Sequence, residues 1–423
     1  MMNLIEDLQW RGLINQSTDL ESLKQHLDSG VCTVYSGFDP TADSLHVGHL
    51  VPLLMLKRFQ DYGHRPVVLV GGATGMIGDP SFKATERSLN TAQTVQEWTE
   101  KLQQQTSQFV RFDDSETSAL AVNNYDWTSS LNVIEFLRDI GKHFSVNMMM
   151  NRESVKQRLS REDQGISFTE FSYTLLQGLD YKVLNEQHNC TLQIGGSDQW
   201  GNIISGVELT RRMNNKQVHA LTLPLVTKSD GTKFGKTESG AVWLSANKTS
   251  PYAFYQFWLN VEDSKVEEYL KFFTFLSPEV IMEIMAKQQS EPHLRHGQKA
   301  LANAMTELVH GAEALESAQR ITHALFKGNL SDLDSADIAQ LKQDGMPYKK
   351  LSQNSCTLLE GLVEAEIAPS NNEGRKLIKG NAIALNGDKT TDFEHSLDAS
   401  NTLHGVHVIK KGKKHWFMLE LGK

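Results

Sequence analysis

At 423 residues, with 39% hydrophobic and 22% charged side chains, the chain is long enough for two or three domains with their own cores, and its composition is that of an ordinary globular protein. A net charge of −9 argues against indiscriminate nucleic-acid binding, three widely spaced cysteines (Cys32, Cys190, Cys356) suit neither a zinc cluster nor a disulfide framework, and no apolar run reaches membrane-spanning length. The polar N-terminus (Asn3, Glu6, Asp7, Gln9) is unlike a signal peptide, so a cytoplasmic setting is expected.

Residues 1–30 predict one or two helices. Val31 to Tyr35 is an apolar, β-branched run expected to form a buried strand, and a helical pattern starts at Val51 with Pro52 in its first turn. Between them lies Y-S-G-F-D-P-T-A-D-S-L-H-V-G-H-L (Tyr35–Leu50), a loop ending in two histidines, His46 and His49, around Gly48. A strand, a loop and a helix N-terminus form an anion site, because free N–H groups and the helix dipole face the bound group. Histidines there can donate to phosphoryl oxygens; a histidine-rich turn without chemistry is the other reading.

Pro66–Gly72 predicts a second buried strand, followed by A-T-G-M-I-G-D-P-S. Strands alternating with helices to about residue 225 imply a parallel sheet with helices on both faces, whose ligands sit outside the carboxyl ends of the strands. Tyr35–Asp39, Gly71–Asp79 and Gln193–Gln199 then share one rim. The G-x-G-x-x-G fingerprint and the Walker loop are both absent, which disfavours a dehydrogenase or a P-loop enzyme.

Residues 115–188 interrupt the alternation with several helices. On the one expected from Phe168 to Leu179, Tyr173, Gln177 and Asp180 fall within about 40–60° of one another. Phe168, Phe171, Leu175, Leu176 and Leu179 make that helix largely apolar, so the polar trio is either solvent decoration or the wall of a ligand site. Cys190–Gly196 is a strand entering a glycine turn, and S-D-Q-W-G-N-I opens a helix with Asp198 and Gln199 in its first turn. After a strand at Leu221–Thr227 comes K-S-D-G-T-K-F-G-K-T, either an ordinary turn or a loop that folds ammonium groups over a polyphosphate.

From Ser250–Pro251 to about 325 the pattern is helical and aromatic. Residues 327–350 are polar and predict a linker. The remainder alternates short helices and strands, with a hairpin in N-A-I-A-L-N-G-D. Its basic residues cluster at Arg375, Lys376, Lys379 and at Lys410, Lys411, Lys413, Lys414, which suits either one polyanionic partner or a solvated face.

H-V-G-H followed nearly two hundred residues later by K-F-G-K-T is similar to the paired signature of class I aminoacyl-tRNA synthetases. The forms Y-S-G-F-D-P-T-A-D-S-L-H-V-G-H, G-G-A-T-G-M-I-G-D-P-S, Q-I-G-G-S-D-Q-W-G-N and K-F-G-K-T closely resemble those of bacterial tyrosyl-tRNA synthetases, over essentially the whole chain. The tail P-S-N-N-E-G-R-K-L-I-K-G-N-A-I-A-L-N-G-D resembles an S4-type RNA-binding module. The implied fold is α/β: a Rossmann-like, doubly wound parallel sheet catalytic domain at 1–226 with a helical insertion at about 115–188. An α-helical anticodon-binding domain at 227–326, a linker at 327–350 and an S4-like α+β domain at 351–423 follow.

The resemblance implies that Tyr35 and Asp180 hold the phenol of bound L-tyrosine, and that Asp79, Tyr173 and Gln177 hold its amino group. Asp39, Gln193, Asp198 and Gln199, with Gly37 and Gly195, surround the ATP ribose and aminoacyl group. Thr41, His46, His49, Lys83, Arg87, Lys233, Lys236 and Thr237 grip the polyphosphate. The tail lysines and Arg375 contact tRNA(Tyr). The implied reaction is tyrosyl-adenylate formation from ATP, with Mg²⁺ accompanying the nucleotide and no structural metal, followed by transfer to the tRNA terminal adenosine on a homodimer. Ser36 stands where many members have Cys, and Val47 where Ile is usual; both changes are small. The rivals are a tryptophanyl-tRNA synthetase or small nucleotidyltransferase, disfavoured by Asp180 beside Tyr35, and an RNA-binding relative without catalysis, disfavoured by intact motifs.

Overall fold

The computed structural model describes residues 2–81, 90–160, 165–232, 234–237, 240–326 and 329–422, with backbone alone at 154, 157, 236 and 237. The chain divides into two compact units, one of Met1–Leu244 with Glu262–Ala286, the other of Ser245–Val261 with Lys287–Lys423.

The first unit is built on six strands: β1 (Gln16–Ser17), β2 (Thr33–Phe38), β3 (Arg65–Val70), β4 (Leu120–Asn123), β5 (Cys190–Gly196) and β6 (His219–Leu223), in the order β1-β6-β5-β2-β3-β4. All neighbours are parallel except the edge strand β1. The chain starts the parallel set in the middle at β2, extends it through β3 and β4 on one side, then returns to add β5 and β6 on the other. The switch point therefore lies between β2 and β5, where Tyr35 pairs with Gln193. Val34, Val67, Val68, Val70 and Leu192 are buried, as strands covered on both faces require. Helix α1 (Leu50–Asp61) packs on β2 and β3, and α4 (Phe168–His188) covers the other part of the core, placing Tyr181 and Leu184 against Tyr35, Val67 and Leu69. Two short helices precede it, α2 (Val146–Met150) and α3 (Glu153–Leu159), and α5 (Trp200–Asn214) packs along it.

Two departures from the expected organisation have clear causes. The segment expected as a helical insertion begins with β4, a sheet strand too short for its alternation to stand out. The helix Val266–Phe273 belongs with the first unit, although it was expected in the helical domain. Buried Arg11 and Arg58 flank Asp7, and Arg11 donates to the carbonyls of Lys271, Thr274 and Leu276 while Arg58 donates to Thr274 O at 2.5 Å. Cations on a helix C-terminus satisfy its orphan carbonyls.

In the second unit, helices Pro251–Leu259, His296–His310 and Ala312–Phe326 pack together. Where a linker is expected, residues 335–345 are helical, and Leu330, Leu333, Ile338, Leu341 and Met346 share one core with Tyr252, Ile321, Leu325, Val406, Val408 and Met418. Buried Asp337 accepts from Arg320 at 2.7 Å and Ser317 at 2.5 Å, and Asp344 accepts from the Ser250 backbone at 2.8 Å. The segment is polar on average, yet its leucines, Ile338 and Met346 all face inward.

The tail forms a five-stranded sheet in which Tyr348–Lys350 runs parallel to Met418–Glu420, over a second core of Leu358, Leu362, Ile378, Ile383, Ile409 and Leu419. The expected hairpin is present, with Asn386 (φ 49°) and Gly387 (φ 100°) both left-handed at its turn. No helix among the described residues is long and apolar enough to cross a membrane.

Candidate active site

In the middle of β2 and on the facing side of α4, Tyr35 and Asp180 are both buried. Asp180 accepts from Asn124 Nδ2 at 3.0 Å and from Trp127 Nε1 at 2.9 Å. Burial raises its carboxyl to about 7, with those two donors pulling the other way. The Tyr35 hydroxyl is pushed well above its ordinary range, first by burial and then by the Asp180 charge, and it has no hydrogen-bond partner among the described residues. The edge of Tyr181, 5.2 Å away between ring centres, holds the Tyr35 ring. The result is an apolar wall ending in one free phenolic hydroxyl and one carboxylate.

The same network continues toward the sheet rim. Asn124 Nδ2 donates to Thr74 Oγ1 at 3.0 Å, Thr74 Oγ1 donates to Asp39 Oδ1 at 2.6 Å, and Tyr173 donates to Asp39 Oδ2 at 2.7 Å. Gly71 permits this approach, since a Cβ there would lie 2.0 Å from Asp39 Oδ1. Tyr173 is thus engaged with Asp39.

Asp79 has its own cluster. Gln199 Nε2 donates to Asp79 Oδ2 at 2.7 Å, and Asn202 Nδ2 reaches both Asp79 Oδ1 at 3.5 Å and Gln199 Oε1 at 3.3 Å. Gln177 is half-buried one turn from Asp180 on α4. Gln193 is buried beside Tyr35 on β5 with its Oε1 unpartnered among the described residues. Gly37 lies on β2 opposite Leu69, Gly195 on β5 opposite Thr222, and Asp198 in the turn that opens α5. Thr41 is exposed in the loop after β2.

The two separated motifs meet. The Val47 N–H donates to Val242 O at 2.9 Å, and the Val242 N–H donates to Gly235 O at 3.0 Å. Gly235 has φ 85°, and a Cβ there would lie 2.5 Å from Val47 Cγ2, so the K-F-G-K-T turn sits directly on the H-V-G-H turn. Phe234 is buried between Tyr269 and Phe273, at 4.7 and 5.4 Å between ring centres. Within the histidine motif, His46 Nδ1 accepts from the Gly48 N–H at 3.1 Å and His49 Nδ1 accepts from the His46 N–H at 3.2 Å. Both Nδ1 atoms are therefore acceptors, which leaves Nε2–H as the donor of each neutral ring. The rings stack at 4.0 Å, and burial followed by His46 lowers His49 to about 3.

Lys83, Arg87 and Lys233 lie outside the described residues. Lys236 and Thr237 form a two-residue strand against Gly240–Ala241. In the tail, Arg375 and Lys379 both lie over the Phe393 ring, at 5.4 and 5.5 Å, Lys376 is near Glu373 at 3.5 Å, and Lys410 lies over Trp416 at 4.5 Å. Lys411 donates to Ile367 O at 2.7 Å, which gives it a structural task, whereas Lys413 and Lys414 are exposed at the hairpin tip. Sequence reasoning missed Thr74, Asn124, Trp127 and Asn202. Thr74, inside the glycine-rich turn, and Asn202, at the end of Q-I-G-G-S-D-Q-W-G-N, had a local signal; Asn124 and Trp127 had none.

Residues 28–327 match the family model for class I tRNA synthetases (W and Y), and residues 337–419 match that for the tyrosine–tRNA ligase SYY-like C-terminal domain. The chain is 58% identical to the tyrosine–tRNA ligase of Pectobacterium carotovorum over 99% of its length and 98% of that protein's, and 56% identical to that of Escherichia coli over the same shares. Among solved structures it is similar to a C-terminally truncated mitochondrial tyrosyl-tRNA synthetase of Aspergillus nidulans (TM-score 0.70, 30% identity, 77% of this chain and 95% of that one). With a family match over most of its length and full-length relatives at such identity, the chain belongs to the tyrosine–tRNA ligases, within the class I tRNA synthetases.

Proposed function

We propose that the chain activates L-tyrosine with ATP, giving tyrosyl-adenylate and pyrophosphate, and then transfers the tyrosyl group to the 3′-terminal adenosine of tRNA(Tyr) in the bacterial cytoplasm. The observation that carries this reading is the free Tyr35 hydroxyl beside Asp180, with Asn124 and Trp127 fixing the carboxylate. A substrate phenol donating to Asp180 and accepting from Tyr35 adds a third donor to the carboxylate and satisfies the hydroxyl, while an apolar ring leaves the Tyr35 hydroxyl unpaired.

From that anchor the amino acid runs along the polar network, with Asp79, Tyr173 and Gln177 toward its amino group. Its carboxylate attacks the α-phosphorus of ATP; the bond to the β-phosphate bridging oxygen breaks, and pyrophosphate departs with the electron pair. The attacking carboxylate is already ionised, so no general base is needed. His46 and His49 present neutral Nε2–H donors toward the phosphates, and Thr41 with the K-F-G-K-T lysines and Lys83 and Arg87 complete the grip, stabilising charge as it develops. Asp39, Gln193, Asp198 and Gln199, with Gly37 and Gly195, border the nucleotide. Mg²⁺ enters with ATP as part of the substrate, held by phosphate oxygens and water.

A homodimer belongs to the same reading. Val133, Ile134, Val146, Met148 and Phe168 of the first unit are large, apolar and 58–76% exposed, which suits a second copy of the chain covering them. In the tail, Arg375, Lys376, Lys379, Lys410, Lys413 and Lys414 supply phosphate contacts to tRNA, with Lys411 holding the fold beneath them. ATP–pyrophosphate exchange measured with each standard amino acid tests the assignment: tyrosine alone should support it, and exchange with tryptophan in its place would overturn it.

A further inference from the structure

Arg152, at the start of α3, is an unusual guest in this region. Its guanidinium inserts between α4 and α5, where Nη1 donates to Thr174 Oγ1 and to Asn202 Oδ1 at 3.2 Å, and Nη2 donates to Ser205 Oγ. The Arg152 stem runs alongside Gly201, within van der Waals reach of where a Cβ there would lie. Every acceptor is neutral, and among the described residues no carboxylate pairs with it. Burial alone lowers the group, to about 10, so it remains a cation at neutral pH. Holding a cation with neutral acceptors in a half-buried place is costly, which directs attention to what it imposes on its neighbours.

We propose that Arg152 is a positioning residue for the amino-acid subsite, fixing the direction of a hydrogen-bond relay from Arg152 through Asn202 and Gln199 to Asp79. The chemistry lies in the amide side chains, each of which has a donor end and an acceptor end that can exchange places. A guanidinium only donates. Its bond to Asn202 Oδ1 turns Asn202 Nδ2 toward Gln199 Oε1 and Asp79 Oδ1. With Oε1 so engaged, Gln199 Nε2 turns to Asp79 Oδ2. Both amides thus point donors at the Asp79 carboxylate, which the backbone N–H of Ser81 also meets at 3.0 Å. Donors gathered on one side of the carboxylate fix its orientation and leave its remaining lone pairs turned toward an incoming ammonium. If Arg152 is replaced by an apolar chain, Asn202 is free to flip, present its oxygen to Asp79 and disorder the arrangement. The segment bearing Arg152 also carries exposed Met148 and Met150, so the relay ties the amino-acid subsite to the apolar face described above.

The inference rests on Asp79 receiving the α-amino group of tyrosine, and the test separates the two claims. The affinities of L-tyrosine and of its des-amino analogue, 3-(4-hydroxyphenyl)propanoate, are measured by competition in ATP–pyrophosphate exchange with the full-length enzyme. Arg152→Met should weaken L-tyrosine by about tenfold, as expected for the loss of one charge-dependent polar arrangement, with the analogue and ATP changed by no more than about twofold. Arg152→Lys, which keeps the charge and a donor, should recover most of the loss. Asp79→Asn should show the same selective weakening. If Arg152→Met does not fold, Asn202→Leu interrupts the same relay one residue later and should give the same signature. Equal weakening of both ligands, or none, while Asp79→Asn remains selective, overturns the role of Arg152 alone. An Asp79→Asn enzyme with unchanged tyrosine affinity overturns the reading of Asp79 and the relay with it.

Discussion

The two ends of the candidate site hold their polar groups by different means. At the Tyr35 end, Asn124 and Trp127, from the segment after β4, converge on a carboxylate from α4, and every member of the cluster is buried or half-buried. At the His46 end, the rings are set by backbone N–H groups of their own turn, and that turn is braced by the backbone of Val242 and the close approach of Gly235. On the proposed reading, the first arrangement selects, because a ligand that fails to complete it leaves the buried Tyr35 hydroxyl unpaired. On the same proposed reading, the second turns its Nε2–H donors toward charge that appears only as the reaction proceeds.

The sharpest way to break this contrast is at Asp180. Asp180→Ala leaves Asn124, Trp127 and the substrate phenol without their acceptor, and should reduce kcat/KM for tyrosine activation by roughly a thousandfold, on the order of 4 kcal/mol. It should also narrow the preference for tyrosine over phenylalanine. An unchanged preference in pyrophosphate exchange would remove Asp180 from the selecting end. A smaller effect is expected at the other end, and of a different kind. His49→Ala should lower kcat by about a hundredfold with the KM for tyrosine nearly constant, as loss of one transition-state donor does. A rise in KM with kcat intact would instead make His49 a ground-state contact.

The smallest effect is on stability, and its sign distinguishes the ends. Asp180 is raised in the folded protein from 3.8 to about 7, so its contribution is full below the unfolded value and is lost as pH rises through the folded one. His49 is lowered from 6.5 to about 3, so its contribution is full above the unfolded value and is lost as pH falls toward the folded one. From roughly pH 4 to 6.5 the two therefore oppose each other. Melting temperatures taken across that window should show Asp180→Asn gaining on the parent protein as pH rises, and His49→Gln gaining as pH falls. Shifts of the same sign in both variants would erase the distinction.

Much of this was legible locally. β5 begins and ends where its apolar run and glycines predict, and the three rim segments lie together because parallel strands all end on one side. The histidine and lysine motifs meet as their pairing implies. The partners of buried carboxylates were not legible. Nothing around Asn124 or Trp127 in the chain says that both will turn toward Asp180, some fifty-odd positions away, because that contact is decided by packing and not by periodicity. Average polarity also misled at 327–350, where the spacing of Leu330, Leu333, Ile338 and Leu341 mattered more than the Ser, Asp and Lys around them.

That last feature bears on the RNA capture proposed for the second unit. Two binding surfaces joined by a loose tether act through effective concentration: each finds its own contact, and the tether sets only how readily the second follows the first. Here the tail's strand at Tyr348–Lys350 and the packed side chains of Ile338, Leu341 and Met346 fuse the tail to the helices of its unit. The exposed lysines at 413 and 414 consequently have a fixed bearing relative to Pro251–Leu259 and Ala312–Phe326. On the proposed reading, an RNA engaging both the tail and those helices would have to match that bearing at once, and the unit would then work as a caliper for the shape of the folded RNA.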